Sequence, residues 1–392
     1  MMMGVSDFYL IPYGIALGAS STQVAFLVSI PAVVASLLQL KSASITQSIG
    51  SRTKLINFVV FFHALSWLPI ILIPYIFSSP TLKPFMPWAL LAAATFYASC
   101  GAFAVPAWQS LMSDYIPVKK RGKYFGWRNK LQGTLTISVS VAAGLILNFF
   151  GKGHYTGFTL IFTFAMLCRF FAWFCLTRMK EPFRKSAHDV YFSFFNFLKQ
   201  IRTSNFAKFV LFASLMSFAV NTSASLFSVF LLNNLGFSYA SYMIVTTTAA
   251  VSGVIFQQMW GKYGDRHGNF RVLQITGWGI AIIPGLWLFS QHLGYAFFVQ
   301  LVAGCFWGGF NLLLNNFIIE AVSPEKRIRC ISYFNVMNSF SVLMGSALGG
   351  FLIRRLPNWF GYSFLTLFLI SCAGRAFVMF FVAPKVKEVR KI

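Results

Sequence analysis

Apolar residues in this chain neither alternate nor recur on one face of a short helix. They run in blocks. Twelve blocks lie near 4–19, 23–41, 55–78, 86–112, 124–149, 158–178, 206–231, 238–260, 270–290, 294–320, 329–353 and 359–383. Most are near the length that carries a helix across a bilayer, roughly 20 residues. The pattern predicts an all-α integral membrane protein with twelve transmembrane helices. The longest polar connection, 179–205, divides the chain into bundles of six spans at 1–178 and 206–392. It sets Arg184-Lys185 beside the aromatic stretch Tyr191-Phe-Ser-Phe-Phe-Asn-Phe-Leu, which reads as an interfacial amphipathic helix.

The two bundles carry a repeat. Asp114-Tyr-Ile-Pro-Val-Lys-Lys-Arg-Gly-Lys returns 206 residues later as Glu320-Ala-Val-Ser-Pro-Glu-Lys-Arg-Ile-Arg. The same offset carries Gln109 to Asn315, Asn129 to Asn335 and Arg169 to Arg375. Earlier in each bundle the offset is 218, relating Leu17-Gly-Ala-Ser to Leu235-Gly-Phe-Ser and Gly50 to Gly268. Repeated bundles of apolar segments are how many secondary transporters are built, because two related halves can expose one site to either side in turn. By the same alignment the first span begins about a dozen residues later than its counterpart, so the first helix is expected to be truncated.

Composition sharpens this picture. Hydrophobic residues are 57% of the 392 and charged residues 10%, with 47 Phe, and the mean hydropathy is +0.69. Soluble chains carry about 25% charged residues; this one must be solvated by lipid. A net charge of +24 would suggest nucleic acid in a soluble protein. Here, of 32 basic residues, 24 fall on the even-numbered connections and the C-terminal segment, four on the odd connections and four inside apolar runs. Basic residues gather on the cytoplasmic side. Both termini are therefore expected in the cytoplasm, in a multi-pass protein of the plasma or inner membrane that meets anionic lipid and no nucleic acid. The six cysteines lack metal-ligand spacing and read as small packers.

The connection after the eighth run reads Gly261-Lys-Tyr-Gly-Asp265-Arg266-His-Gly268-Asn-Phe-Arg271. It resembles the Gly-x-x-x-Asp-Arg-x-Gly signature of the major facilitator superfamily, as does Arg121-Gly-Lys-Tyr-Phe-Gly-Trp-Arg-Asn129 at the opening of span five. With the runs and the repeat, the resemblance covers essentially the whole chain. It implies the superfamily fold, two pseudo-symmetric six-helix bundles. It also implies a conformational latch on the cytoplasmic side made by Gly261, Asp265, Arg266, Gly268 and Arg329. An acid there suits the N-terminus of a neighbouring helix, and glycines let the chain turn tightly. A solvated charged turn is the plainer reading. The first bundle departs from the pattern: Ala43, Gln47 and Ser48 stand where Gly261, Asp265 and Arg266 do, leaving Gly50, Arg52 and Lys54. The latch is expected to be one-sided. Span four also lacks the buried Arg of the family's proton-linked branches.

Charges at membrane depth are expensive and therefore functional candidates. Of eight carboxylates only Asp7 falls within a run. It lies on span one, which lines the central cavity in this family, and is the candidate for a proton or a cationic group; solvation near the start of the chain is the alternative. The family's cavity-lining spans one, four, seven and ten add Tyr9, Tyr13, Tyr97, Trp108, Gln109, Asn221, Trp307, Asn311 and Asn315 as substrate-cavity candidates. Asn311 and Asn315, four apart, share one helix face. Asp114 with Arg121 and Glu320 with Arg327 read as structural charges that fix helix ends. Arg169 and Arg375 read as ties to backbone carbonyls or an acid; the sharper alternative is a cationic pair that attracts an anionic substrate. His63 reads as a satisfied interior histidine.

The chain has no Walker loop, zinc-protease motif, nucleophile elbow or cluster of acids with His or Cys. No catalytic residue, metal or cofactor is expected, and the chain does not read as an enzyme. The expectation is a monomeric secondary transporter of a small organic solute working by alternating access, with the proton as candidate coupling ion. A transport-deficient scaffold or sensor is the second reading, kept open by the short first span and the degenerate first loop.

Overall fold

In hydrocarbon every backbone N–H and C=O must find a partner within the chain, and a helix meets that demand locally. The computed structural model of the chain describes residues 2–115, 118–151, 154–181, 197, 199, 204–322, 324–358 and 361–389, and among them the regular structure is helical throughout. The side chains of Asp7, Gln109, Asp114, Arg121, Arg327 and Arg329 lie outside the description, as does most of the 179–205 linker with its expected amphipathic helix.

The first unit, Met1–Ala187 with Ser238–Ala240, holds α1 (Met2–Ala16), α2 (Ser21–Ile49), α3 (Arg52–Leu65), α4 (Trp67–Ile76), α5 (Met86–Tyr115), α6 (Val118–Phe150) and α7 (Thr156–Thr177). Helices α3 and α4 form one span broken at Ser66. The Ser66 hydroxyl donates to His63 O at 2.8 Å, and Pro69 has no N–H to offer Leu65 O, two causes of a local bend. Helix α5 lies along α2 and α3, and α7 packs on α3, α4 and α1. Tyr13, Trp67, Phe158 and Phe162 fill the space between α1, α4 and α7, with Tyr13 5.0 Å from each Phe ring.

The second unit, His188–Phe237 with Ser241–Ile392, holds α8 (Asn205–Ala224), α9 (Tyr239–His267), α10 (Asn269–Leu286), α11 (Leu293–Ala321), α12 (Pro324–Leu352) and α13 (Ser363–Phe381). Past α8 a short turn runs into a π-helical turn, Phe230–Asn234. Helix α12 lies along α8, and α10 lies between α11 and α13. Phe209 stacks on Phe317 at 4.2 Å, and Phe270 stands edge-on to both Phe209 and Phe212.

Among the described residues, nine helical segments are long and apolar enough to cross a membrane. Met2–Ala16, Asn269–Leu286 and Pro324–Leu352 are not among the nine. Large side chains that point outward, among them Phe149, Phe171, Phe289 and Phe380, are apolar as lipid requires.

Lipid gives helices no hydrophobic reason to associate, so close backbone approach matters. Glycine permits it. Gly304 and Gly308 of α11 meet the backbone of Ala249 and Gly253 in α9, and Gly345 and Gly349 of α12 meet the carbonyls of Phe218 and Thr222 in α8. A Cβ on Gly349 would collide with the Thr222 oxygen, whereas one on Gly294 meets nothing within 4 Å. Gly349→Leu is therefore expected to destabilise the second unit by about 1–3 kcal/mol or more, seen as a lower melting temperature or loss of the monodisperse peak in detergent. Gly294→Leu should leave both unchanged.

Candidate functional site

One end of each unit is closed by a carboxylate. In the first unit the chain turns between α2 and α3 at Gly50, whose φ is +70°, and Ser51 caps α3 by accepting from Lys54 N. Glu181, four residues past α7, comes back to this turn. Its Oε1 accepts from Arg52 N at 3.0 Å and Arg52 Nε at 2.8 Å, and its Oε2 accepts from the hydroxyls of Ser51 at 2.6 Å and Thr53 at 3.0 Å. Burial works to raise the Glu181 pKa, but hydrogen bonds from the Arg52 guanidinium, Ser51, the Arg52 amide and Thr53 outweigh it and pull it down to about 2. Negative charge at a helix N-terminus is also favoured by the peptide dipoles.

The second unit repeats the device. Glu388, 207 residues after Glu181, accepts from Phe270 N at 2.7 Å and Arg271 N at 3.2 Å at the start of α10. Gly268, with φ +93°, leaves the room for it, since a Cβ there would strike the Glu388 carboxylate. Two more glycines of this loop are spacers of the same kind: the signature's Gly261 faces Leu312, and Gly264 faces Leu313 and Asn269. Asn269 is buried and its Oδ1 accepts from Asn316 Nδ2 at 3.4 Å. The extended tail is also held by Asn205, which donates to Lys387 O at 2.8 Å and accepts from Lys387 N at 2.7 Å.

The acid found on the α10 N-terminus is thus Glu388, while Asp265 and Arg266 are exposed at the end of α9. The first loop, degenerate in its signature, is stapled more extensively than the second. The sequence reading left both glutamates aside as charges beyond the spans. Their spacing, one repeat apart, was the signal available.

The cavity candidates separate into two groups. Tyr9 and Tyr13 are fully buried within the first unit, donating to Ser140 O at 2.7 Å and Ile70 O at 2.9 Å. Trp108 packs against the apolar cluster that includes Leu55, Ile56 and Val59 and carries the Arg128 guanidinium 4.5 Å above its ring. Tyr97 lies against His63, 4.5 Å between ring centres. Asn221 is half-buried and donates to Ser217 O at 2.9 Å. By contrast, Asn311 and Asn315 are exposed in the second half of the apolar α11, with Trp307 half-buried one turn earlier. Asn315 Nδ2 donates to Asn311 O at 2.8 Å, so its Oδ1 faces outward. Glu320 is exposed at the end of the same helix.

The two interior arginines differ. Arg375, 4% exposed, donates to Ser371 Oγ, Ile280 O, Val220 O and Ser223 Oγ, two carbonyls and two hydroxyls. Arg169 has a buried Nε without a hydrogen-bond partner. His63 corrects the sequence reading. It is 4% exposed, and neither ring nitrogen has a partner. The apolar span that buries it supplies rings and Gly101 instead of acceptors. Among the described residues no group of three or more His, Cys, Asp or Glu is placed to hold a metal.

Because Glu181 is held below the unfolded value of about 4.3, its contribution is present above that pH and is lost as pH falls through about 2. Glu181→Gln is expected to melt earlier at neutral pH and to lose less than the parent on acidification from about pH 5 to about pH 3. Gly268→Ala, strained in φ and pressed on Glu388, should lose more stability than Gly236→Ala, whose φ of +66° is equally unfavourable but which faces open space. About 1–3 kcal/mol of backbone strain is common to both. Thermal unfolding of the variants in detergent measures the difference.

The family model for the Major Facilitator Superfamily matches residues 1–231 and 209–392. An efflux pump of Aspergillus niger, azaK, is 31% identical over 111 residues, which cover 28% of this chain and 24% of the pump. A probable peptide/nitrate transporter of Arabidopsis thaliana is 28% identical over 134 residues, 33% of this chain and 25% of that one. The aligned segments thus span about a quarter of each relative. In fold, the chain is similar to a mutant form of the nucleoside transporter NupG, with a TM-score of 0.74, 13% identity and coverage of 98% and 97% of the two chains. A D-xylose-proton symporter gives 0.73 at 11% identity, covering 100% and 94%. A bacterial homologue of the iron transporter ferroportin gives 0.67 at 14%, covering 97% and 96%. The matched family model extends over both units, so the chain belongs to the Major Facilitator Superfamily.

Proposed function

We propose that this chain is a secondary active transporter of a small polar organic solute, working by alternating access. In this reading twelve spans form two pseudo-symmetric six-helix bundles, 1–178 and 206–392, joined by the linker 179–205. Both termini face the cytoplasm of a plasma or inner membrane, and the unit of function is a monomer. The order of helix pairing supports the symmetry: α1 packs on α6 and α7 as α8 packs on α12 and α13, and α3 on α5 and α7 as α10 on α11 and α13.

The observation that carries the reading is the exposed amide face of Asn311 and Asn315. A helix this apolar would not turn two amides toward lipid, where unsatisfied polar groups cost several kcal/mol; a water-filled path gives them a reason to face outward. Amides donate and accept, which suits hydroxylated or amide-bearing solutes. The proteins similar in sequence or fold are named for nucleosides, D-xylose and peptide or nitrate. The latch residues Gly261, Asp265, Arg266, Gly268 and Arg329 would hold one end closed during the cycle, aided by Glu181 and Glu388. Asp7 is proposed as the proton site.

Uptake into proteoliposomes, with and without an imposed pH gradient, tests this against nucleosides, pentoses, small peptides and nitrate. For a transported solute, Asn311→Leu with Asn315→Leu is expected to cut uptake about tenfold or more, the equivalent of 1.4 kcal/mol of binding, with the melting temperature retained. Asp7→Asn is expected to abolish the response to the gradient. Undiminished uptake by the double variant would remove these amides from the path, and no uptake of any solute by the parent would favour the scaffold reading.

A further inference from the structure

Arg169 and Arg375 hold repeat-related positions but opposite surroundings. Arg375 Nε donates to Ser371 Oγ at 3.1 Å, and its other nitrogens reach Ile280 O at 2.9 Å and Ser223 Oγ at 3.3 Å. The repeat offsets of 206 and 218 set Ala165 where Ser371 stands and Val5 where Ser223 stands. The first unit has therefore lost both hydroxyl acceptors, and Arg169 Nε is left buried with none. In exchange it has gained nitrogen. His63 and Trp67 stand at the places of Ala281 and Gly285.

Both additions are deep and unpartnered. Trp67 is 0% exposed and His63 4%, and neither the indole N–H nor either imidazole nitrogen has a hydrogen-bond partner. Tyr97 joins them, its ring centre 4.5 Å from His63 and 4.9 Å from Trp67. Arg169 lies within electrostatic reach of both His63 and Tyr97. Gly101 of α5 closes one side, where a Cβ would stand 3.3 Å from His63 Cε1. Arg169 is half-buried.

We propose that Arg169, Trp67 and His63 form a binding site for a small soluble anion within the first unit. Guanidinium and indole can only donate, and a neutral imidazole contributes one further N–H. One guanidinium and two further N–H groups against a single imidazole lone pair make a donor-rich, cationic set that suits a halide or a small carboxylate and repels a cation. A guanidinium inside a bundle needs a countercharge, because an unpaired ion there is expensive. The described carboxylate of this unit, Glu181, is committed to Arg52. Such clusters of buried unsatisfied groups call for an occupant. The site does not depend on which solute is carried, and its test reads binding, not transport.

The purified full-length chain, in neutral detergent free of phospholipid, would be melted while gluconate is exchanged for bromide or acetate at constant ionic strength. A saturable rise of a few degrees is expected for the parent, following the logarithmic dependence on occupancy. Arg169→Gln and Trp67→Phe should lose it, and the surface control Arg178→Gln should keep it. Bromide anomalous scattering beside Arg169 and Trp67 Nε1 would support the site without any variant. The proposal is overturned if the parent shows no saturable rise, or if both variants retain it. It is likewise overturned if only anionic phospholipid produces the rise, or if bromide-soaked crystals show water at these nitrogens.

Discussion

A peptide group in hydrocarbon has no water to fall back on, and nearly every feature of this protein answers that fact. It makes the described regular structure helical. It makes the ends of helices the places where polar side chains are needed, because the first N–H groups of a helix have no partner within it. It also explains why glycine, not a large apolar residue, sits where α11 meets α9 and α12 meets α8. With lipid as solvent, contact between backbones is worth more than another buried leucine.

The two units solve the problem of the exposed helix start in the same way with different sequences. In the first, a serine cap, an arginine and a threonine surround Glu181. In the second, two amides and the space above Gly268 receive Glu388. The signature loop of the second unit supplies geometry there, since its glycines are spacers; the first loop keeps Gly50 at the turn, has Ala43 and Thr46 in place of Gly261 and Gly264, and adds hydroxyls. Each staple joins the segment after a unit's last span to the start of its third, so that the ends of two helices distant in sequence move together.

Much of the fold was legible because the bilayer imposes one length and one composition on each span. The helices α3–α4, α7 and α11 lie where the apolar blocks place them. Side-chain direction was not legible. Tyr9 and Tyr13 share a span with Asp7, but spacing alone could not say that their hydroxyls end on Ser140 and Ile70 inside the bundle. Nor could it choose between Asp265 and Glu388 as the cap of α10, because that choice rests on where a tail over a hundred residues away returns. His63 was misread for a related reason: an interior histidine is usually satisfied, and here an aromatic ring and Gly101 lie against it where an acceptor would be needed.

The staples grip main-chain N–H groups at Arg52, Phe270 and Arg271, and that choice of partner bears on how the family can vary. An amide hydrogen is offered by every amino acid except proline. Side chains on the outer face of the α10 start, such as that of Arg271, can therefore drift through substitution while the bond to the glutamate persists. The glutamate cannot drift in the same way. Inheritance would thus be expected to record the staple as a lone acidic column facing a variable stretch, a pattern in which covariation between partners is silent.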